Sequence, residues 1–371
     1  MRLSPQVKFL LSTILLTGLA PQDQLASTES QSVQLVGLAA SADGKWLATG
    51  GDAVRVFHAK TGHQYRSMMT KRGTNQLRFS PTEDKAFVVG GGDRIYFVRV
   101  GANQPHSTIS LKQGSSLRSL TYSPDGKRLT TCVSRYDNGV VVESVVTTWD
   151  ASEKTKLHEH HFDAADCTAL AYSADGTFLA IAAKDNASRD SRIEVFRTSD
   201  WQSIKRIAMP LGFALSMSFT SDGKRLVMVG GECEDRSVRG CMTRGKFWFA
   251  NLDSDNPAKL FRPFNPTVGY FRGAHVGADG QSFLTCTSVS KVGPGGGSYS
   301  QTRLQSRSMR NGQVLWQDSR NGSEAGGSSE IALVDSGSIA AYCVGSRIHL
   351  IDMKTGESTR MIAAKPAKAN K

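Results

Sequence analysis

The chain has 371 residues, 39% of them hydrophobic and 36 of them glycine, a composition that buries a large core and excludes disorder on the scale of a domain. Its 45 Lys and Arg against 33 Asp and Glu give a formal charge of +12, which favours anionic partners and says nothing about fold. Zinc-type Cys/His spacing, a Gly-x-Ser-x-Gly elbow and a His-Glu-x-x-His pair are all missing, so the commonest metal and serine-hydrolase signatures do not apply.

At the N-terminus, Arg2 and Lys8 precede an apolar run over residues 9–20 that is interrupted only by Ser12, Thr13, Thr17 and Gly18. A basic start and a short apolar stretch match a secretory signal peptide over residues 1–26, and the run is too short to span a bilayer. Small residues at Gly18 and Ala20 are followed by Pro21, which disfavours cleavage there; a cut after Ala26 is the alternative. The competing reading is an N-terminal apolar anchor. Export to the periplasm or out of the cell is expected, and this weighs against nucleic acid as the anionic partner.

From there on, one turn recurs seven times between apolar stretches: Ser41-Ala42-Asp43-Gly44, Ser80-Pro81-Thr82-Glu83, Ser123-Pro124-Asp125-Gly126, Ser173-Ala174-Asp175-Gly176, Thr220-Ser221-Asp222-Gly223, Gly277-Ala278-Asp279-Gly280 and Val334-Asp335-Ser336-Gly337. The spacing of 39 to 57 residues is the period of a β-propeller blade. The expected fold is all-β, a seven-bladed β-propeller of four-stranded antiparallel blades over residues 27–363. Blade 1 shows the pattern best, with strands expected at 33–40, 46–50, 53–57 and 64–69. Third strands are expected to return at 94–99, 145–150, 192–196, 245–249, 303–308 and 347–352.

Ser-Pro-Asp-Gly-Lys-Arg-Leu at 123–129 and Val-Arg-Val-Phe-x-x-x-x-Gly at 54–62 resemble WD40-type repeats over nearly the whole mature chain. The Trp-Asp dipeptide stands only at Trp149-Asp150, with Phe57, Phe196 and Trp248 elsewhere, and the usual Gly-His pair is absent. The chain therefore resembles the divergent bacterial WD40-like propellers. That resemblance implies a ring completed by an N-terminal strand. Yet residues 358–363 already offer blade 7 a fourth strand, so the ring closes without exchange or uses residues 26–34. Residues 364–371 form a basic, solvated tail.

In such a blade the hairpin between the second and third strands leaves on the same face as the connection between blades. From the turn Gly to the third strand's aromatic position the distance is about 13 residues in the short blades, and 23, 20, 25 and 27 in blades 3, 4, 5 and 6. Long loops on a rigid scaffold are where function concentrates. Their basic and aromatic residues are the candidate binding set: Arg135, Tyr136, Lys184, Arg189, Arg192, Arg236, Arg239, Arg244 and Tyr299. Arg forks match planar anions, and Tyr adds contact area at low entropic cost.

Five places before the fourth turn residue, the innermost strands carry Ala39, Thr121, Ala171, Ser218 and Ala332, but Arg78 in blade 2 and His275 in blade 6. These two either line a central channel or are hydrogen-bonded in a seam between blades, and the seam is the favoured reading. Cys233 and Cys241 are spaced to close a small disulfide. Cys132, Cys286 and Cys343 each follow their turn Gly by six residues and read as buried core thiols. His158-Glu159-His160-His161 falls on an outer-strand pattern in which alternate side chains point opposite ways, so it is a solvated edge and not a metal site.

The function expected is an exported, non-catalytic propeller that binds a protein or an acidic polymer through the long basic loops of blades 3–6. No cofactor and no metal are expected. The alternative is a propeller resembling lactonases and related hydrolases, with a site at the channel mouth built from His275 and an acid such as Asp185 or Asp137. A third class, assembly at the cell envelope through stacked propellers, requires an exposed apolar patch.

Overall fold

The Ser-x-Asp-Gly turns have a common internal structure. At the first, the Ser41 hydroxyl donates to the Asp43 carboxylate (2.7 Å) and accepts from the Trp46 N–H (2.9 Å), while the Gly44 N–H returns to the Ser41 carbonyl (3.0 Å). Gly44 sits at φ +69°, and Gly126, Gly176, Gly223 and Gly280 repeat this conformation, which only glycine adopts without strain. Each turn thus satisfies its own backbone and joins the first strand of a blade to the second.

In the computed structural model, residue 33 and residues 35–74, 76–91, 93–186, 191–209, 212–232, 244–253, 258–261, 270–277, 279–292, 298–322 and 330–366 are described. They form a seven-bladed β-propeller. Blade 1 contains Leu35–Ala40, Trp46–His58 and Gln64–Thr74. Blade 2 follows with Gln76–Phe79, Ala86–Gly91, Arg94–Arg99 and Ser107–Ser110. Blade 3 contains Ser115–Tyr122, Arg128–Asp137, Val140–Asp150 and Lys156–Asp163. Blade 4 contains Ala165–Tyr172, Phe178–Asp185, Ser191–Arg197 and Ser203–Met209. Blade 5 contains Phe213–Phe219, Arg225–Glu232, Arg244–Asn251 and Ala258–Phe261. Blade 6 contains Tyr270–Val276, Ser282–Val292, Ser298–Ser308 and Val314–Gly322. Blade 7 ends the ring with Ala332–Val334, Ile339–Val344, Arg347–Asp352 and Ser358–Ala363. Every pairing is antiparallel between neighbours in sequence.

In blade 1 the expected second and third strands follow one another without an intervening loop, within Trp46–His58. Residues 47–51 of that segment pair with the first strand and residues 51–57 with the last. The bond from Ala59 N–H to Lys45 O (2.8 Å) repeats the bonds that close the other second-to-third hairpins, such as Val100 to Lys85 and Ala151 to Lys127. The chain therefore reverses tightly near Gly51, whose φ is +127°.

Middle strands are buried on both faces because each blade packs against two others. Seven apolar clusters result, one per seam. Leu38, Phe57, Ala332, Ile348 and Ile362 join blade 7 to blade 1, and Trp248, Met217, Ile193 and Met209 join blades 4 and 5. Each fully buried large side chain is worth roughly 1.5–3 kcal/mol. The ring is closed by packing, with no strand shared between blades 7 and 1 among the described residues. Side chains reinforce this seam: the buried Arg55 guanidinium grips Asp52 with two bonds (2.9 and 2.7 Å) and donates to Lys365 O (2.9 Å), while Gln64 accepts from the Lys365 N–H (2.8 Å).

Candidate functional site

Alternate residues of an innermost strand face the channel along the ring axis. Five places before the fourth turn residue these are the small Ala39, Thr121, Ala171, Ser218 and Ala332; two places earlier, Ser119, Ala169 and Ser216. Small side chains on most blades leave an open channel of about 430 Å³. Gln76 and Arg78 of blade 2, His275 of blade 6 and Glu330 just before blade 7 are the large polar residues at these positions, and all four line it. Arg78 and His275 both line this channel, beside the space left by their small neighbours.

Arg78 Nη1 donates to its neighbour's carbonyl, Leu77 O (2.6 Å), and to Glu330 Oε1 (2.7 Å) across blade 1, where only Ala39 intervenes. Burial pushes the Glu330 carboxyl above its ordinary pKa, opposed by the Arg78 charge and by hydrogen bonds from Arg78 and the Leu38 N–H. His275 donates from Nδ1 to Val276 O (2.8 Å), which leaves the lone pair on Nε2. Burial holds its pKa below the ordinary value and the Arg78 charge adds to this, so the ring is neutral at pH 7.

At the channel mouth, β-bulges add one extra side chain per strand. The bulges between Leu117 and Ser119, Cys167 and Ala169, and Ala214 and Ser216 present Arg118, Thr168 and Leu215, and all three line the channel. Arg118 forms a two-pronged ion pair with Asp166 of the next blade (3.1 and 2.9 Å), and Asp166 also accepts from the Ser134 hydroxyl (2.8 Å). The Thr168 hydroxyl is buried without a partner.

The hairpins of blades 3 and 6 are not irregular loops. In blade 3 the ladder runs, past a bulge between Val141 and Glu143, to Asp137 opposite Val140, and Asn138 (φ +48°) and Gly139 (φ +77°) make the two-residue turn. In blade 6 it runs to Val292 opposite Ser298, with Tyr299 opposite Lys291. Hydrogen bonding therefore continues where the sequence pattern ends the strands at 145 and 303. Pairing of Ser115 with Arg135 brings this end of the hairpin to the same face as the mouth, near Arg118.

The candidate binding residues are dispersed. Arg135 lies 3.5 Å from Glu143, and Tyr136 is 36% exposed at the hairpin tip. Lys184 sits over the Phe213 ring (5.5 Å), on blade 4. Arg192 faces the seam with blade 3 instead, over Phe162 (5.6 Å) and 4.0 Å from Glu194. Tyr299 is half-buried. Arg244 pairs through its backbone with Glu232; its side chain, together with Arg189, Arg236, Arg239, Cys233 and Cys241, lies outside the described residues, as do residues 1–26. Asp137 and Asp185 do not line the channel. The histidine run is used for packing: His158 stacks on Trp201 (4.5 Å), His160 meets Phe162 and Phe196, and His161 bonds Glu143 (2.7 Å). Among the described residues no group of three His, Cys, Asp or Glu is placed to hold a metal ion, and no helix is long and apolar enough to cross a membrane.

Glu330 was not singled out in the sequence. The repeat contained the signal, since its place is held by Gly, Ser or Ala in five of the other six blades.

The fold matches solved structures, a β-propeller domain among them. Hydrazine synthase of Kuenenia stuttgartiensis aligns with a TM-score of 0.68 at 12% identity, covering 91% of this chain and 100% of that one. The β-propeller domain of Cps50 (Swd1) from Myceliophteria thermophila aligns at 0.61 and 12% identity, covering 90% and 98%. No family model and no curated protein matches the sequence. At this identity the likeness is one of fold.

Proposed function

We propose that this chain is an exported, non-catalytic propeller that binds a protein or an acidic polymer on the face where the hairpins of blades 3–6 emerge. The reading rests above all on the blade 3 hairpin. Its ladder carries Arg135, Tyr136 and Val140 on a stiff post beside the channel mouth, with Tyr136 36% and Val140 45% exposed. An amphipathic tip on a rigid element offers contact area at little entropic cost, and the +12 charge raises association rates with an anionic partner.

The test is capture from an envelope extract by residues 30–371 at low and high salt. A salt-sensitive acidic partner is expected, with binding weakened by Tyr136→Ala with Arg135→Ala and by Arg236→Ala with Arg239→Ala. Capture that ignores salt and all four substitutions overturns the reading.

A second reading, a hydrolase-like site at the channel mouth, is favoured by the presence of the His275 lone pair and Glu330 in one channel. Turnover of lactone or ester substrates that is lost in His275→Phe would establish it.

A further inference from the structure

The central channel, whose mouth opens beside the blade 3 hairpin, has the size and the lining of a small-molecule site. Its volume, about 430 Å³, falls in the range of roughly 300–1,000 Å³ usual for such sites. Polar groups converge on it from four blades. Arg78 commits Nη1 to Leu77 O and Glu330, which leaves its Nε and Nη2 hydrogens as donors into the channel. His275 commits Nδ1 to Val276 O, so Nε2 acts only as an acceptor. The Gln76 amide adds a donor and an acceptor.

Charge decides the ligand class. Arg78 is ion-paired with Glu330 and Arg118 with Asp166, which lies behind the lining, so each cation already has its counter-charge. A carboxylate or phosphate entering the channel would lack a counter-charge and lose its hydration. An apolar ligand would leave the facing donors and acceptors unsatisfied. A hydroxyl both donates and accepts, and a ring of them meets a mixed lining from any side.

We propose that the central channel binds a neutral polyhydroxylated ligand of mono- or disaccharide size, with Arg78 donating to, and His275 Nε2 accepting from, adjacent hydroxyls. The test is titration calorimetry of the folded chain with glucose, maltose, glucuronate and glucosamine. Glucose or maltose is expected to bind at least about tenfold more tightly than either charged sugar. His275→Phe keeps a ring but removes the acceptor, and should weaken the neutral sugar about tenfold. Glu330→Gln gives the lining one net positive charge, and should reverse the order so that glucuronate exceeds glucose. If that variant does not fold, the wild-type order and His275→Phe still decide. No binding of glucose or maltose at millimolar concentration, a wild-type preference for glucuronate, or an unchanged affinity in His275→Phe would each overturn the proposal.

Discussion

Arg55 Nε donates to the backbone oxygen of Lys365, 2.9 Å away, although 310 residues separate the two in sequence. The guanidinium is fully buried and held by Asp52 on its other edge, so one planar cation ties the third strand of blade 1 to the chain leaving blade 7. At the seam between blades 7 and 1, a fork of hydrogen bonds reinforces the packing.

Removing the acid should therefore be worse than removing both charges. Asp52→Ala leaves a buried guanidinium without its counter-charge, a defect that typically costs about 3–5 kcal/mol. Arg55→Met with Asp52→Ala should recover part of that loss. Urea unfolding of the two variants checks the order; equal midpoints would contradict it.

Acid should destabilise the protein in two steps. His275 has a folded pKa below its unfolded value of about 6.5, so the stability it allows is complete above that pH and declines as the unfolded chain takes up the proton. The turn carboxyls act lower. Hydroxyls of Ser123, Ser173 and Thr220, with the N–H groups of Lys127, Thr177 and Lys224, hold Asp125, Asp175 and Asp222 below their ordinary pKa. Their contribution is full above an unfolded pKa of about 3.9 and is lost as pH falls through the folded value. Urea midpoints against pH should show both steps, with His275→Phe flattening the first and Asp→Asn at the three turns flattening the second.

Two glycines mark close approaches. A Cβ at Gly230 would run into the carbonyl of Phe213, and one at Gly90 into the Leu117 side chain of the next blade. Backbone cannot move aside as a leucine methyl can. Gly230→Ala should exceed the roughly 1–3 kcal/mol of ordinary overpacking and Gly90→Ala should fall within it. Thermal denaturation of both variants reads the difference, and a milder effect at Gly230 would contradict the geometry.

Cys132, Cys167 and Cys343 are fully buried, and burial pushes the Cys132 and Cys343 thiols up, away from the reactive thiolate. A thiol reagent such as dithionitrobenzoate should leave all three unlabelled in the native protein and label them in urea. Mass spectrometry of the native protein that found a modified Cys132 would show the core to be open there.

The blades were legible because their turns are local devices: in blades 1, 3, 4 and 5 hydroxyl, carboxylate and glycine satisfy one another within six residues, and local chemistry leaves a local signature. Strand ends beyond Asp137 and Lys291 were less so. There, residues such as Arg135 and Tyr136 are polar enough for a loop, yet the ladder continues, in blade 3 past a bulge, because each further pair of facing residues adds backbone bonds. Only the Asn138-Gly139 pair advertised the tight turn. Glu330 and Arg78 lie 252 residues apart, and only the ring makes them neighbours. Nor does any pattern of hydrophobicity announce the bulge that turns Arg118 towards Asp166.

A ring with one apolar cluster in every seam, and with no strand crossing from blade 7 to blade 1 among the described residues, separates the order of blades along the chain from their order around the axis. A gene rearranged to begin at blade 4 and to continue from blade 7 through a short linker into blade 1 would encode the same sheets and the same seams. The place where this polypeptide enters its circle is one choice among seven, made distinctive by the Arg55 fork.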